Sequence, residues 1–161
     1  MILKNKLTGK KLLYLFFIPG IIFYSALSTA QDLKVKSTEW LALNLLEYVD
    51  ISYRYDECSL PSQGTEIEYV YLKFTNKTDQ VVQIEWKTEV WYNGKCSGCK
   101  GGNTAENNCI LLLKPLETKE GLCSELCDPK LRILSRILNF DLKKELTDFK
   151  LSNLKIVQLE N

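Results

Sequence analysis

Apolar and polar positions alternate over much of residues 51–92, as they do in strands that turn one face inward. Ile51-Ser52-Tyr53-Arg54-Tyr55 opens the pattern, and Cys58 with the breakers Pro61 and Gly64 closes this first run. The longest alternation follows. Val70, Leu72 and Phe74 share one strand face, while Ile67, Tyr69 and Tyr71 share the other. Beyond the polar turn Asn76-Lys77-Thr78-Asp79, Val82, Ile84 and Trp86 line one face, with Gln83, Glu85 and Lys87 facing away, and the run ends at Asn93-Gly94. Two such runs joined by a short polar turn predict a β-hairpin over 66–94. The first run, apolar on both sides, is expected to be central and covered on each face.

Outside this region the pattern is shorter. Trp40 to Leu46 fits either a helix capped by Ser37 or Thr38 or an extended run, because periodicity does not separate short apolar stretches. Cys109 to Leu113 is continuously apolar and too short for a helix, so it predicts a buried strand closed by Pro115. Leu131 to Leu134 begins another strand, although Leu131 to Leu142 also fits a helix, and Phe149 to Leu159 closes the chain. Turn residues about every ten positions between short strands predict a sandwich or small barrel.

The first thirty residues do not belong to that pattern. Lys4, Lys6, Lys10 and Lys11 precede the apolar run Leu12 to Leu27, which Pro19-Gly20 interrupts, and Ser28-Thr29-Ala30 supplies a small-x-small exit before Gln31. This reads as a secretory signal over 1–30, followed by a single domain over 31–161. The run is short for a span of hydrocarbon, so the alternative of an uncleaved anchor is the weaker fit. No Cys follows the expected cut, so the lipoprotein form of the signal is absent. A secreted or periplasmic protein is expected, off the membrane after cleavage.

Composition then narrows the chemistry. With the four lysines of residues 1–30 set aside, 17 basic side chains stand against 20 acidic ones, a net charge of −3. That balance argues against a nucleic-acid partner or a polybasic membrane patch. The chain has no His, which removes Ser-His-Asp and Cys-His relays, His-ligated zinc and haem ligation. Glu66/Glu68 and Glu85/Glu89 place carboxylates on common strand faces, but solvated strand faces carry such pairs routinely, and no enzyme or cofactor is inferred from them. Lys143-Lys144 beside Glu145 reads as another solvated face.

Cys58, Cys96, Cys99, Cys109, Cys123 and Cys127 make an even set, and an exported chain is expected to pair them. Three disulfides that pin the loops 95–109 and 122–128 are the leading expectation, with the pairing open. The alternative uses the same 96–127 loops for chemistry: Cys96-Ser97-Gly98-Cys99 as a redox pair, or Cys96, Cys99, Cys123 and Cys127 as tetrahedral zinc thiolates. No helix signal follows Cys99 to depress its pKa, and oxidation competes with metal, so no metal site is assigned. Tyr53 and Tyr55 share one face, as do Tyr69 and Tyr71. If their strands are neighbours, the four rings form an outer stripe with Trp91 at its edge. Such a face suits a protein or glycan of the envelope. Asn76-Lys77-Thr78 matches an N-glycosylation sequon, but the signal has a bacterial style and no role is assigned to it.

The stretch Tyr69 to Asp79 with Val82 to Trp86 resembles consecutive central strands of immunoglobulin-like and fibronectin-type sandwiches, in which a Trp on the following strand plugs the core. The resemblance implies an all-β, antiparallel immunoglobulin-like β-sandwich with disulfide-tied loops. The Val70/Leu72/Phe74 strand carries no Cys, so the core disulfide of true immunoglobulin domains is absent. The segment Leu111 to Cys123 also looks like parts of small secreted bacterial proteins. Sandwiches host many activities, so the functional expectation stays broad: an exported, non-catalytic binding or structural module of the cell envelope.

Overall fold

The strands predicted from the alternation form, but they are partnered differently. In the computed structural model, residues 36–60, 64–97, 99, 108–124, 126–139 and 144–159 are described. The expected signal over 1–30 lies outside them. Nine strands appear among these residues: β1 (Leu41–Leu45), β2 (Val49–Leu60), β3 (Thr65–Asn76), β4 (Val81–Tyr92), β5 (Lys95–Ser97), β6 (Asn108–Leu113), β7 (Thr118–Glu120), β8 (Arg132–Ile137) and β9 (Leu146–Leu159). All described pairings are antiparallel.

The first sheet runs β1-β2-β3, and the far edge of β3 is shared by β7 and β8. In the second, β4 is flanked by β9 on one side and by β6 and β5 on the other. Both ambiguous stretches contain a strand. Leu41–Leu45 pairs along β2, and Arg132–Ile137 along β3. Tertiary pairing decides short runs that propensity leaves open.

The expected hairpin over 66–94 is corrected. β3 pairs with β2, β7 and β8, whereas β4 pairs with β5, β6 and β9, so the turn after Asn76 carries the chain from one sheet to the other. Alternation specifies one buried face and one outer face; it does not specify which neighbour supplies the hydrogen bonds. Here the inward faces of β3 and β4 meet across the core, with the Phe74 and Trp86 ring centroids 4.8 Å apart. The inward side chains of both sheets make one hydrophobic cluster, including Ile51, Val70, Leu72, Ile84, Leu113 and Phe149. Tyr92 crosses it too, its hydroxyl donating to the Leu134 carbonyl at 2.9 Å. β3 is central in its sheet, as its two-sided apolarity predicted.

Candidate functional site

Two cysteine pairs are bridged. Cys58 and Cys123 have Cα atoms 5.4 Å apart and join the end of β2 to the loop after β7. The bridge spans 65 residues of sequence, which restrains the unfolded chain by about 4 kcal/mol in the chain-entropy picture. Cys96 and Cys99, 5.8 Å apart at Cα, close a bridge at the exposed end of β5. Cys109 and Cys127 belong to neither, so two of the three expected disulfides are present. Burial pushes the Cys109 thiol up, which a hydrogen bond with Thr88 only partly opposes. The four thiolates imagined for zinc are not assembled, because Cys123 is bonded to Cys58 and Cys96 to Cys99. Among the described residues no group of three or more His, Cys, Asp or Glu is placed to hold a metal.

The aromatic stripe also fails to assemble. Tyr53 lies opposite Leu72 and Tyr55 opposite Val70 in the β2–β3 register, so both tyrosines face the core with the aliphatic side of β3. Their hydroxyl-bearing rings are buried there, Tyr53 edge-on to Phe149 at 5.4 Å. Tyr69 and Tyr71 point the other way, and Tyr71 is only 1% exposed. The loop after β7 covers it: a Cβ at Gly121 would collide with the Tyr71 ring and the Leu131 carbonyl. Burial raises the Tyr71 phenol to about 12. Trp91 belongs to the other sheet, between Val90 and Tyr92, which pack on the core. The four tyrosines and Trp91 are therefore spread over the core and two outer faces.

Two clusters that the motifs did not flag are better organised, and they sit at opposite ends of the strands. At one end Glu68, on the inward face of β3, is a buried carboxylate. It accepts from Ser135 Oγ at 2.7 Å, Arg136 at 3.1 Å and Lys36 Nζ at 3.2 Å. Lys36 also reaches Glu145, before β9, at 2.7 Å. Burial pushes the Glu68 carboxyl up, but the hydrogen bonds of Ser135 and Lys36 and the charges of Lys36 and Arg136 outweigh it, so its pKa is lowered. A cavity of about 280 Å³ opens here, lined by Lys36, Tyr55, Asp56, Glu57 and Glu68 among others. Lys36 already satisfies its inner carboxylate, which makes the arrangement a clasp between the sheets.

The opposite end is built from three turns. Asn76, the last residue of β3, is 1% exposed. Its amide nitrogen donates to the carbonyls of Gln80 and Lys114, each at 2.8 Å, and its oxygen accepts from the Thr78 amide at 2.9 Å and hydroxyl at 2.8 Å. Backbone bonds complete the cluster: Lys77 N to Tyr48 O, Asn76 N to Glu117 O and Leu116 N to Thr78 O, all 2.9–3.0 Å. The turns 45–48, 76–80 and 114–117 are thereby locked together. The sequon is accounted for by this geometry. Both amide hydrogens of Asn76 are engaged and buried, so the folded domain does not present its side chain as a glycan acceptor.

Two leucines project from this end. Leu45 is 72% exposed and Leu116 is 71% exposed. Leu116 also has φ of 57°, in the left-handed region that costs an L-residue roughly 1–2 kcal/mol. The Glu117 amide bonds to the Lys114 carbonyl at 3.1 Å, so Lys114-Pro115-Leu116-Glu117 is a β-turn with Pro at its second position. A positive φ at the third position of such a turn calls for Gly or Asn. The sequence signal was available as Pro115-Leu116 in a turn, but only the backbone reveals the strain. No protein-family model, curated protein or solved structure matches the chain.

Proposed function

We propose that this is an exported, non-catalytic module of the cell envelope that binds a protein partner through the three-turn end, with Leu45 and Leu116 as its apolar contacts. Leu116 carries the reading. A residue that accepts backbone strain and at the same time exposes an aliphatic side chain serves neither folding nor solubility, and such strain concentrates where a surface is used. The supporting cluster is rigid, so little conformational entropy is lost on docking. Aliphatic contacts suit a protein more than a glycan, whose rings stack on aromatic faces. Export rests on the signal-like residues 1–30, and the two bridges are consistent with an oxidising, extracellular environment.

The test is site-specific photo-crosslinking in producing cells. A photoactivatable residue at position 116 or 45 should give a discrete higher-mass adduct, while the same residue at Lys155, on the outer side of β9, should give none. Equal labelling from all three positions, or no adduct from 116 and 45, overturns the proposal.

A further inference from the structure

The loop that follows β7 holds an unbridged thiol on the backbone that leads into a disulfide. Cys127 lies four residues beyond Cys123 in the chain, and its Sγ accepts the Leu122 amide hydrogen at 3.2 Å. The thiol therefore rests on the backbone that leads into Cys123. The fold of the loop keeps it there: Cys127 N donates to the Ser124 carbonyl at 3.2 Å, and Ser124 N to the Leu122 carbonyl at 2.9 Å. Arg132 of β8 ties the same loop down, donating to the Ser124 carbonyl at 3.3 Å. Of the bridged pair, Cys123 is exposed and Cys58 is buried. The loop thus carries a nucleophile beside the more exposed member of the bridge, and attack there makes Cys58 the group that leaves.

We infer that Cys58, Cys123 and Cys127 form a thiol–disulfide exchange site that switches the loop between a tethered and a released state. Cys127 gives its proton to solvent, and the thiolate attacks Cys123 Sγ. The Cys123–Cys127 bond forms as the Cys58–Cys123 bond breaks, and Cys58 departs as a thiolate that takes up a proton. One disulfide and one thiol stand on each side, so no oxidant or reductant is consumed. The tethered state holds the loop over Tyr71, whose hydroxyl is buried there with no hydrogen-bond partner. Release cuts the covalent link to β2 and frees the segment that displays Leu122 and Leu126, both exposed. The switch is separate from the three-turn end and stands or falls independently of the crosslinking result.

Peptide mapping of the unreduced protein tests it. The folded chain is held at about pH 8, where thiol exchange is rapid, then blocked with N-ethylmaleimide and cleaved with trypsin. The tethered state gives residues 55–73 disulfide-linked to 120–130. The released state gives 55–73 with a maleimide on Cys58, beside a separate 120–130 lighter by two hydrogens. Both states are expected in the wild type, and Cys127→Ser, which removes no bridge, should lose the labelled 55–73 peptide entirely. Label confined to Cys127, with all of 55–73 cross-linked, overturns the inference. So does labelled Cys58 that persists in Cys127→Ser, because the bridge then opens without Cys127.

Discussion

The two ends of the strands close the same core by different physics. At the three-turn end the buried part of the closure is neutral: Asn76 spends both amide hydrogens on carbonyls of separate turns, and backbone bonds tie 45–48, 76–80 and 114–117 together, with charged contacts of Lys77 and Glu117 added at the surface. At the other end, charged side chains reach over the opening, and Lys36 bridges Glu68 of one sheet to Glu145 beside the other. A neutral, buried lock does not respond to salt or mild acid. A partly exposed ionic clasp responds to both. The apolar display sits at the end whose buried lock is neutral, so the strain at Leu116 is held chiefly by Asn76 and backbone bonds.

The largest effect is expected at the neutral lock. Asn76→Asp replaces a double donor with an oxygen that faces the Gln80 and Lys114 carbonyls, leaving both buried acceptors opposed by negative charge. A loss of about 3 kcal/mol is expected, read as a fall in the urea midpoint with unchanged slope. The loss should be the same in low and high salt. A change below about 1 kcal/mol would mean that the backbone bonds alone hold the three turns.

Much of the sheet content was legible in the sequence because alternation is a direct consequence of one-sided burial. The inward sets Val70/Leu72/Phe74 and Val82/Ile84/Trp86 are as the pattern gave them. Partner identity was not legible. A turn of four polar residues looks the same whether the next strand pairs alongside or crosses to the facing sheet. Here the deciding fact is the second crossover, β6 to β7, which Asn76 binds through Lys114 and Glu117. Parity misled in a similar way: Tyr53 and Tyr55 share a face, but which face depends on register against β3, and that register turns them inward. Asn76 itself was visible only as a sequon, because the sequence records the residue and not the two carbonyls it serves. The cysteines were countable but not pairable, since Cys58 meets Cys123 only after β2 and β7 flank β3.

At the ionic end, Glu68→Gln is expected to cost about 1–2 kcal/mol near neutral pH, because the amide keeps an acceptor for Ser135 but loses its charge toward Lys36 and Arg136. The sharper readout is pH. The folded-state pKa of Glu68 lies below its ordinary 4.5, so its contribution is complete above that value and is lost as acid carries the carboxyl through its lowered pKa. The wild type should therefore lose stability from about pH 4.5 downward more steeply than the variant, and the two curves should converge. Parallel acid profiles would remove Glu68 from the clasp.

Leu116→Gly is expected to act in the opposite direction. Relief of the left-handed strain, less the extra freedom of Gly in the unfolded chain, should raise stability by about 1 kcal/mol. The crosslinked adduct read from position 45 should be weakened in the same variant. A variant that is stabilised and binds unchanged would show that Leu116 is strained without being used.

The smallest effect separates the two ends most cleanly. Lys36 Nζ lies 3.2 Å from Glu68 and 2.7 Å from Glu145, with its own side chain 40% exposed. Solvent screens such pairs, and ordering a long side chain offsets much of the attraction. Lys36→Met keeps the aliphatic stem over the Tyr55 ring, where the ammonium now lies 5.6 Å from the centroid, and removes only the charge. A loss of about 0.5 kcal/mol is expected at low ionic strength, shrinking toward zero at about 1 M salt. Asn76→Asp, measured beside it, should keep its full cost in both buffers. If instead Lys36→Met remained equally costly in high salt, its ammonium would be acting as a buried hydrogen-bond donor, and the ionic end would be a second neutral-type lock in all but composition.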